Sequence, residues 1–363
     1  MSLIEVANGM RNALLEDDAA QATDRIVKTR GLLQAVRGCF LCENCVVECE
    51  AGVKVTDVML QSRRVLQECG LIPRDTWSSV LVDEQWDIFT AYRAIYGIGY
   101  ADLTRHLAQE GRAGATDCAV AFFPGCSLAA YNPELTRAAF ACIERQGGKA
   151  TMIDECCGSP LKSAGFLDRA AALEQRIVDQ VVASGAAEVV AVCPGCANML
   201  AEAFSKRGLE IRVVSMARFL AEHGQQAVRV PGRLRFFKSC QDHDGSYLRD
   251  VLALFGESDV VGTICDGCCG AGGAVSSYSP KQQAAKVERV LARCESGDTL
   301  VTMCPTCTYT QAFQLASTKR ADIVPKHYLE LLLDVPFDWQ TVFSQLEGMW
   351  TGEYGPWLAR VFS

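Results

Sequence analysis

Cys156-Cys157-Gly158 and Cys268-Cys269-Gly270 are two copies of one tripeptide, and the chain repeats itself around each copy. Neighbouring side chains on a strand point to opposite faces, so two adjacent cysteines make poor core material. They also rarely reach the geometry that a disulfide requires. Such a doublet suits a loop that directs two thiolates at one object. A lone cysteine precedes each doublet, Cys126 in the first case and Cys240 in the second. A Cys-Pro-x-Cys follows each, as Cys193-Pro194-Gly195-Cys196 and Cys304-Pro305-Thr306-Cys307. The intervals nearly match, with 34 residues between Gly158 and Cys193 and 33 between Gly270 and Cys304. Two domains therefore each present five thiols in one order.

The residues around these thiols read as alternating strands and helices. Asp117 to Phe123 is a short apolar run that ends at Pro124-Gly125-Cys126. Asn132-Pro133 offers an N-cap with proline at the first helical position, and Gly147-Gly148 closes that helix. A strand from Ala150 to Ile153 leads to the first doublet. A helix from about Leu167 to Ala183 stops at Gly185, and a strand from Glu188 to Val192 delivers Cys193. The second half follows the same scheme. Leu234 to Lys238 ends near Cys240, and Asp259 to Gly262 leads toward Cys265 and the doublet. Ser279-Pro280 starts a helix that Gly297 ends, and Thr299 to Met303 delivers Cys304. In a parallel α/β sheet, groups placed after strands and before helices gather at the carboxyl edge, where such folds bind ligands. The fold expected is α/β, with two pseudo-symmetric Rossmann-like repeats preceded by an α-helical domain.

Upstream of the repeats, residues 1 to about 38 read as helix, with Leu14, Ile26, Leu32, Leu33 and Val36 as apolar positions. Then comes Cys39-Phe-Leu-Cys42-Glu-Asn-Cys45-Val-Val-Glu-Cys49, the C-x2-C-x2-C-x3-C run of bacterial ferredoxins. A loop of this kind bends three thiolates around one corner of an iron–sulfur cube. Four cysteines this close rarely make the tetrahedral site that zinc needs. A helix from about Thr56 to Cys69 places Val58, Met59, Ser62, Val65, Leu66 and Cys69 on one face, and Gly70 is set to end it. Gly111-Arg-Ala-Gly114 reads as a linker. These boundaries divide the chain into 1–114, 115–228, 229–335 and a tail, 336–363. The tail holds Trp339, Trp350 and Trp357, which suit packing on the domains or a partner surface.

Composition narrows the function classes. The chain has 363 residues, enough for two or three domains with a sizeable core. No run approaches the roughly 18 apolar residues of a membrane span. Met1 to Asp18 carries Glu5, Glu16 and Asp17 and lacks an apolar core, so no signal peptide is expected. A net charge of −8 argues against nucleic acid as the main partner. The 19 cysteines are an odd number in a long chain, which favours a reduced cytoplasmic compartment and metal-bound thiolates over a disulfide scaffold. None of the four histidines, His106, His223, His243 and His327, is spaced for a Cys/His zinc module.

Five thiols per set is one more than a cubane cluster or a tetrahedral zinc needs. At this point the chain resembles a known family. Cys-x(n)-Cys-Cys-Gly-x(n)-Cys-Pro-x-Cys, written twice over about residues 116 to 335, is similar to the signature of the B subunit of heterodisulfide reductase and its relatives. The resemblance implies that each complete set holds a noncubane 4Fe–4S cluster and forms part of a catalytic site. One set is Cys126, Cys156, Cys157, Cys193 and Cys196, and the other is Cys240, Cys268, Cys269, Cys304 and Cys307. The amino-terminal run, with Gly52-Val-Lys-Val-Thr-Asp-Val58 after it, resembles the second ferredoxin motif of the C subunit of heterodisulfide reductase. Together the parts look like a fusion of the C and B subunits, as in the D form of the enzyme's subunits. Glu50 stands where the family has proline, and the first ferredoxin motif is absent. The implied cofactors are one cubane 4Fe–4S cluster on Cys39, Cys42 and Cys45, with Cys49 or Cys69 as fourth ligand, and two noncubane clusters.

The function that follows as an expectation is an oxidoreductase subunit that reduces, or forms, a disulfide at the paired clusters. The amino-terminal cluster would supply its electrons. The alternative is an electron-transfer subunit, similar to the iron–sulfur subunits of glycolate and lactate oxidases. A structural zinc protein is a third class. No nucleotide-binding fingerprint is visible, and Gly270-Ala-Gly272-Gly273 lies inside the cluster motif. Any flavin or nicotinamide chemistry therefore belongs to partners. The expected partners are a flavoprotein or another iron–sulfur subunit and a small disulfide or thiol, with any membrane reached only through a partner. Cys69, Cys118, Cys142, Cys265 and Cys294 read as small buried residues, with a functional role open for Cys69 and Cys265. Lys162, Lys238 and His243 are either solvated charges or groups that meet an anionic substrate or deliver a proton.

Overall fold

β1 (Val120–Phe123), β2 (Ala150–Met152), β3 (Glu188–Ala191) and β4 (Arg212–Ser215) form a parallel sheet in the order β2-β1-β3-β4. β5 (Arg233–Phe237), β6 (Asp259–Ile264), β7 (Asp298–Thr302) and β8 (Val324–His327) form a second parallel sheet in the order β6-β5-β7-β8. The two orders are the same once strands are counted from the start of each repeat. Repetition in the sequence is therefore repetition of fold, and the expected α/β class is what the chain adopts. The computed structural model describes residues 31, 33–47, 49–68, 72, 74–84, 87–96, 107, 112, 114–277, 279–352 and 354–362.

Local chemistry explains the elements. All four residues of β1 are buried, as a parallel strand covered on both faces requires. The Asn132 side chain accepts from the Leu135 amide at 2.9 Å, and Pro133 opens the helix Pro133–Gly147. Gly185 takes the left-handed conformation that ends the helix Leu167–Ser184.

The structure also adds elements that the sequence reading leaves out. β4 and β8 are short edge strands. Pro325 lies within β8, where the sheet edge tolerates its missing N–H. A bulge between Leu234 and Arg235 lets β6 continue past Gly262 to Ile264. The helix that starts at Pro280 ends at Leu291, six residues before Gly297. The Gly297 amide instead donates to the Asp322 carbonyl at 2.7 Å.

The repeats pack against each other reciprocally. Helix Met216–Glu222 of the first touches Ser246–Ala253 of the second, and Tyr328–Leu332 of the second touches Pro133–Gly147 of the first. These are corresponding helices with the roles exchanged, which is the mark of a two-fold relation. One core cluster joins them, with Phe122, Phe140, Val190 and Phe219 from the first repeat and Phe236, Phe255 and Val301 from the second.

The sequence boundary near residue 114 does not separate cores. Val36, Leu66, Ile72, Trp77 and Tyr92 share a cluster with Tyr131, Leu161 and Trp339. Arg112, in the expected linker, pairs with Glu144 at 2.8 Å. Of the expected first helix, residues 33–37 are helical, and residues 1–30 lie outside the described residues. The helix Val55–Glu68 buries Thr56, Leu60, Arg63 and Leu66, while Val65 is exposed. The buried face is therefore turned from the one that apolar spacing picks out. The tail packs on the body. Its helix Trp339–Met349 lies on Ile88–Ile95 and Pro305–Ser317, and Gly355–Phe362 lies on Arg74–Val80.

Candidate metal centre

The ten thiols of the two sets lie in the loops between strands and helices or at the first turn of a helix. Cys193 and Cys304 are the N-caps of helices Pro194–Lys206 and Pro305–Ser317. Each stands two residues after a sheet strand, so the parallel topology brings them to the carboxyl edge. A helix N-terminus favours a thiolate through its unpaired amides and dipole. Cys126 lies in the first turn of Gly125–Tyr131, and Gly125 sits so close to Cys196 that a Cβ there would lie 3.3 Å from its sulfur.

The sulfur contacts run through both sets. Cys156 meets Cys126 at 3.4 Å, and Cys307 meets Cys269 at 3.0 Å. Cys157 hydrogen-bonds with Cys156 and Cys196, Cys196 with Cys193, and Cys240 with Cys268. Cys193 and Cys304, from different repeats, meet at 3.7 Å. Eight of the ten thiols are buried, while Cys193 and Cys240 are half-buried, and all ten are free. Thiol donors from Cys156 and Cys196 push Cys157 well below the usual thiol range, and a donor from Cys307 lowers Cys269. The second cysteine of each doublet is thus the one held toward thiolate in both repeats.

Reciprocal contacts surround the Cys193–Cys304 junction. Ser127, which follows Cys126, meets Thr306 of the second Cys-Pro-x-Cys at 2.6 Å. Gln241, which follows Cys240, lies 3.4 Å from where a Cβ on Gly195 of the first Cys-Pro-x-Cys would stand. The two sets therefore meet directly.

The amino-terminal run curls tightly. Leu41 and Glu43 both hold positive φ, at 50° and 60°, an unusual conformation for such side chains. Cys45 is pushed up by burial and by Cys39, Cys42 and Cys49 nearby, so these four thiols form one group. Cys49 accepts from the Val53 amide at 3.4 Å. Cys69 lies outside the described residues. Cys42 also hydrogen-bonds with Cys268, which joins the run to the second set. Among the described residues, no three Cys, His, Asp or Glu side chains close on a point as a single metal ion requires. The fit to an iron–sulfur group rests on the donor set itself, since clustered thiols at helix starts are the soft ligands such clusters take.

Residues 120–201 and 234–311 each match the cysteine-rich CCG domain. The chain carries two CCG domains. It is 26% identical over 326 residues to the D subunit of dihydromethanophenazine:CoB–CoM heterodisulfide reductase of Methanosarcina barkeri, covering 82% of this chain and 77% of that protein. It is also 26% identical over 224 residues to the B subunit of fumarate reductase (CoM/CoB) of Methanothermobacter marburgensis, covering 59% of this chain and 45% of that one. The corresponding D subunit from Methanosarcina acetivorans is 23% identical over 299 residues, covering 75% of this chain and 71% of that protein. The chain thus spans less than half of the fumarate reductase protein. It resembles heterodisulfide reductase subunits. No helix among the described residues is long and apolar enough to cross a membrane.

Arg63 fastens the amino-terminal run to both CCG domains, and the sequence reading misses it. Its guanidinium is buried and donates to the carbonyls of Val36, Cys39, Ser163 and Gly273. Burial pulls it down to about 10, so it stays charged at neutral pH. Ser163 and Gly273 belong to the segments that follow the two doublets. The glycines of the second segment explain themselves here. A Cβ on Gly273 would stand 2.1 Å from the Cys39 carbonyl oxygen, and one on Gly272 would stand 2.3 Å from that of Phe40. The glycine-rich stretch is a seat for the amino-terminal run. The signal available in the sequence was an arginine at helical spacing between Leu60 and Leu66.

Two of the three flanking charges have internal partners. His243 pairs with Glu43 at 2.8 Å, a second tie between the run and the second CCG domain. The Lys238 ammonium donates to the Asp242 carbonyl at 2.7 Å. Lys162 is exposed. Among the remaining cysteines, Cys118 and Cys142 are buried, Cys294 is half-buried, and Cys265 is exposed rather than buried.

Proposed function

We propose that the chain is the disulfide-reducing subunit of an iron–sulfur complex, with two five-cysteine sets acting as one paired site. The single observation that carries this is the junction of Cys193 with Cys304, which joins two complete sets. The residues proposed to hold noncubane clusters are Cys126, Cys156, Cys157, Cys193 and Cys196, and Cys240, Cys268, Cys269, Cys304 and Cys307. When bound, a pair of such clusters supplies two electrons and iron to receive two sulfurs. The overall change balances as a disulfide plus two electrons and two protons giving two thiols. The chain's own part is to place the two sets side by side and to exclude water from them by burial. Helix starts behind Cys193 and Cys304 offset the negative charge of thiolates there.

The cubane cluster is proposed on Cys39, Cys42 and Cys45, with Cys49 or Cys69 completing it. The contact of Cys42 with Cys268 supports electron delivery from this cluster to the second set. A cytoplasmic location and redox partner subunits, a flavoprotein or another iron–sulfur protein, complete the reading. Anaerobic protein should bind about 12 iron, as three four-iron clusters, by metal analysis. Low-temperature electron paramagnetic resonance should then show a signal that changes on adding a thiol substrate. Zinc in place of iron, or about four iron after full reconstitution, overturns it. A second reading, an electron carrier between a flavoprotein and another acceptor, is favoured by the burial of eight of the ten thiols. It expects a full set of clusters but no response to thiols.

A further inference from the structure

The two CCG domains share their cysteines but not what stands behind them. Around the first Cys-Pro-x-Cys are Ala191, Ala197, Met199 and Leu200. The matching positions around the second are Thr302, Thr308, Thr310 and Gln311. All four of these polar side chains are buried, Gln311 completely. Four apolar positions in one half thus correspond to four polar positions in the other. A need for a packed core does not explain this, because the first domain fills the same positions with hydrocarbon and sulfur.

The threonines are satisfied within the protein. The hydroxyls of Thr302 and Thr308 bond to each other, and Thr308 also donates to the Cys304 carbonyl at 3.3 Å. Thr310 donates to the Thr306 carbonyl at 3.0 Å, and its hydroxyl also reaches Cys269. Gln311 differs. Neither its amide nitrogen nor its carbonyl oxygen has a hydrogen-bond partner. A fully buried carboxamide left so costs about 1–3 kcal/mol per unmet group, so such residues are rare without a reason.

Its position supplies the reason. Gln311 lies one turn beyond Cys307 on helix Pro305–Ser317, on the same side. Cys307, whose sulfur touches Cys269 at 3.0 Å, and Leu315 flank it on that side of the helix, and both lie in one cluster with Cys269. Its counterpart Leu200 stands in the same relation to Cys196, in one cluster with Cys157. We propose that the Gln311 amide donates a hydrogen bond to a sulfur of the group held by the second set, making that group easier to reduce than its twin. Hydrogen bonds to sulfur stabilise the more negative, reduced state and are a main control of cluster potential. The paired site is therefore unequal by construction. The half that touches Cys42 is the half that holds an electron more readily. This rests on the reading that both sets bind clusters.

The test is a redox titration of the full-length anaerobic protein, followed by electron paramagnetic resonance. Wild type should show two noncubane signals with different midpoints. Gln311→Leu should move the higher one down, with at least a tenfold fall in its reduced-to-oxidised ratio at fixed potential, about 59 mV for one electron. The other signal should stay in place and iron content should not change. Leucine is already accommodated at the matching position, as Leu200. The reciprocal Leu200→Gln should raise the other midpoint, and it carries the test if Gln311→Leu loses iron. Full iron with unmoved midpoints in these variants overturns this inference and leaves the paired-cluster reading standing. Wild type that binds only about four iron after full reconstitution overturns that reading, and this inference with it.

Discussion

Cys193 and Cys304 hold the same place in the two CCG domains, and their sulfurs meet at 3.7 Å across 111 residues of chain. In a two-fold arrangement a residue meets its own counterpart only near the axis. The two thiol sets therefore meet where the two repeats join. In iron-free protein this contact should be chemically visible. Mild oxidation should give a peptide linking Cys193 to Cys304, detected by mass spectrometry without reduction. Products confined to pairs within each domain would contradict the packing of the two repeats.

Arg63 should be indispensable for docking. Arg63→Met leaves the buried carbonyls of Val36, Cys39 and Gly273 without their donor, at about 1–3 kcal/mol each. The expected result is a lower unfolding temperature and protease cleavage near Cys39 to Cys49, while the two CCG domains stay resistant. Uniform resistance across the chain would show that the run is held by something else.

Gly273→Ala tests the same interface from the other side. Its φ of 67° strains any side chain, and the Cβ would collide with the Cys39 carbonyl. A left-handed non-glycine residue costs about 1–3 kcal/mol before the collision is counted. Stability should fall, and Gly52→Ala serves as a control. Gly52 also has positive φ, but nothing lies within 4 Å of its Cβ position. Equal losses in the two variants would argue that backbone strain alone matters.

His327 predicts a pH dependence. Burial pulls it from an ordinary 6.5 down to about 3, so it is neutral in the folded protein near pH 7. Between those two values the unfolded chain binds the extra proton, so stability falls as pH drops from about 6.5 toward 3. His327→Asn keeps a cap for the helix Tyr328–Leu332 and removes the titration. Unfolding temperatures measured across this window should fall less steeply in the variant. Parallel curves would mean that other groups carry the acid sensitivity.

Much of this architecture was legible in the sequence because the signals were local. The doublets, Asn132-Pro133 and the strand before Cys193 each announce themselves within a few residues. The edge strands β4 and β8 were not legible, because β4 is four residues long and β8 contains proline. The thiol sets were legible as sets. Their meeting at Cys193 and Cys304 was not, since only the packing of one sheet against the other decides it. Arg63 was not legible as a buried tie because a charged residue within a helix reads as solvent-facing. Its buried N–H donors are answered by carbonyls far away in the sequence. The glycines at 272 and 273 could be read as freedom from side chains, but not as a seat for Cys39 and Phe40.

The account stands or falls on whether both halves of the site are needed. The most direct measurement is disulfide reduction driven by a reduced viologen dye in Cys157→Ala and Cys269→Ala, each compared with wild type under anaerobic conditions. The account predicts that each change alone abolishes reduction, while the amino-terminal cluster signal survives in both. Full activity in either variant would contradict it, and the chain would then be an electron carrier.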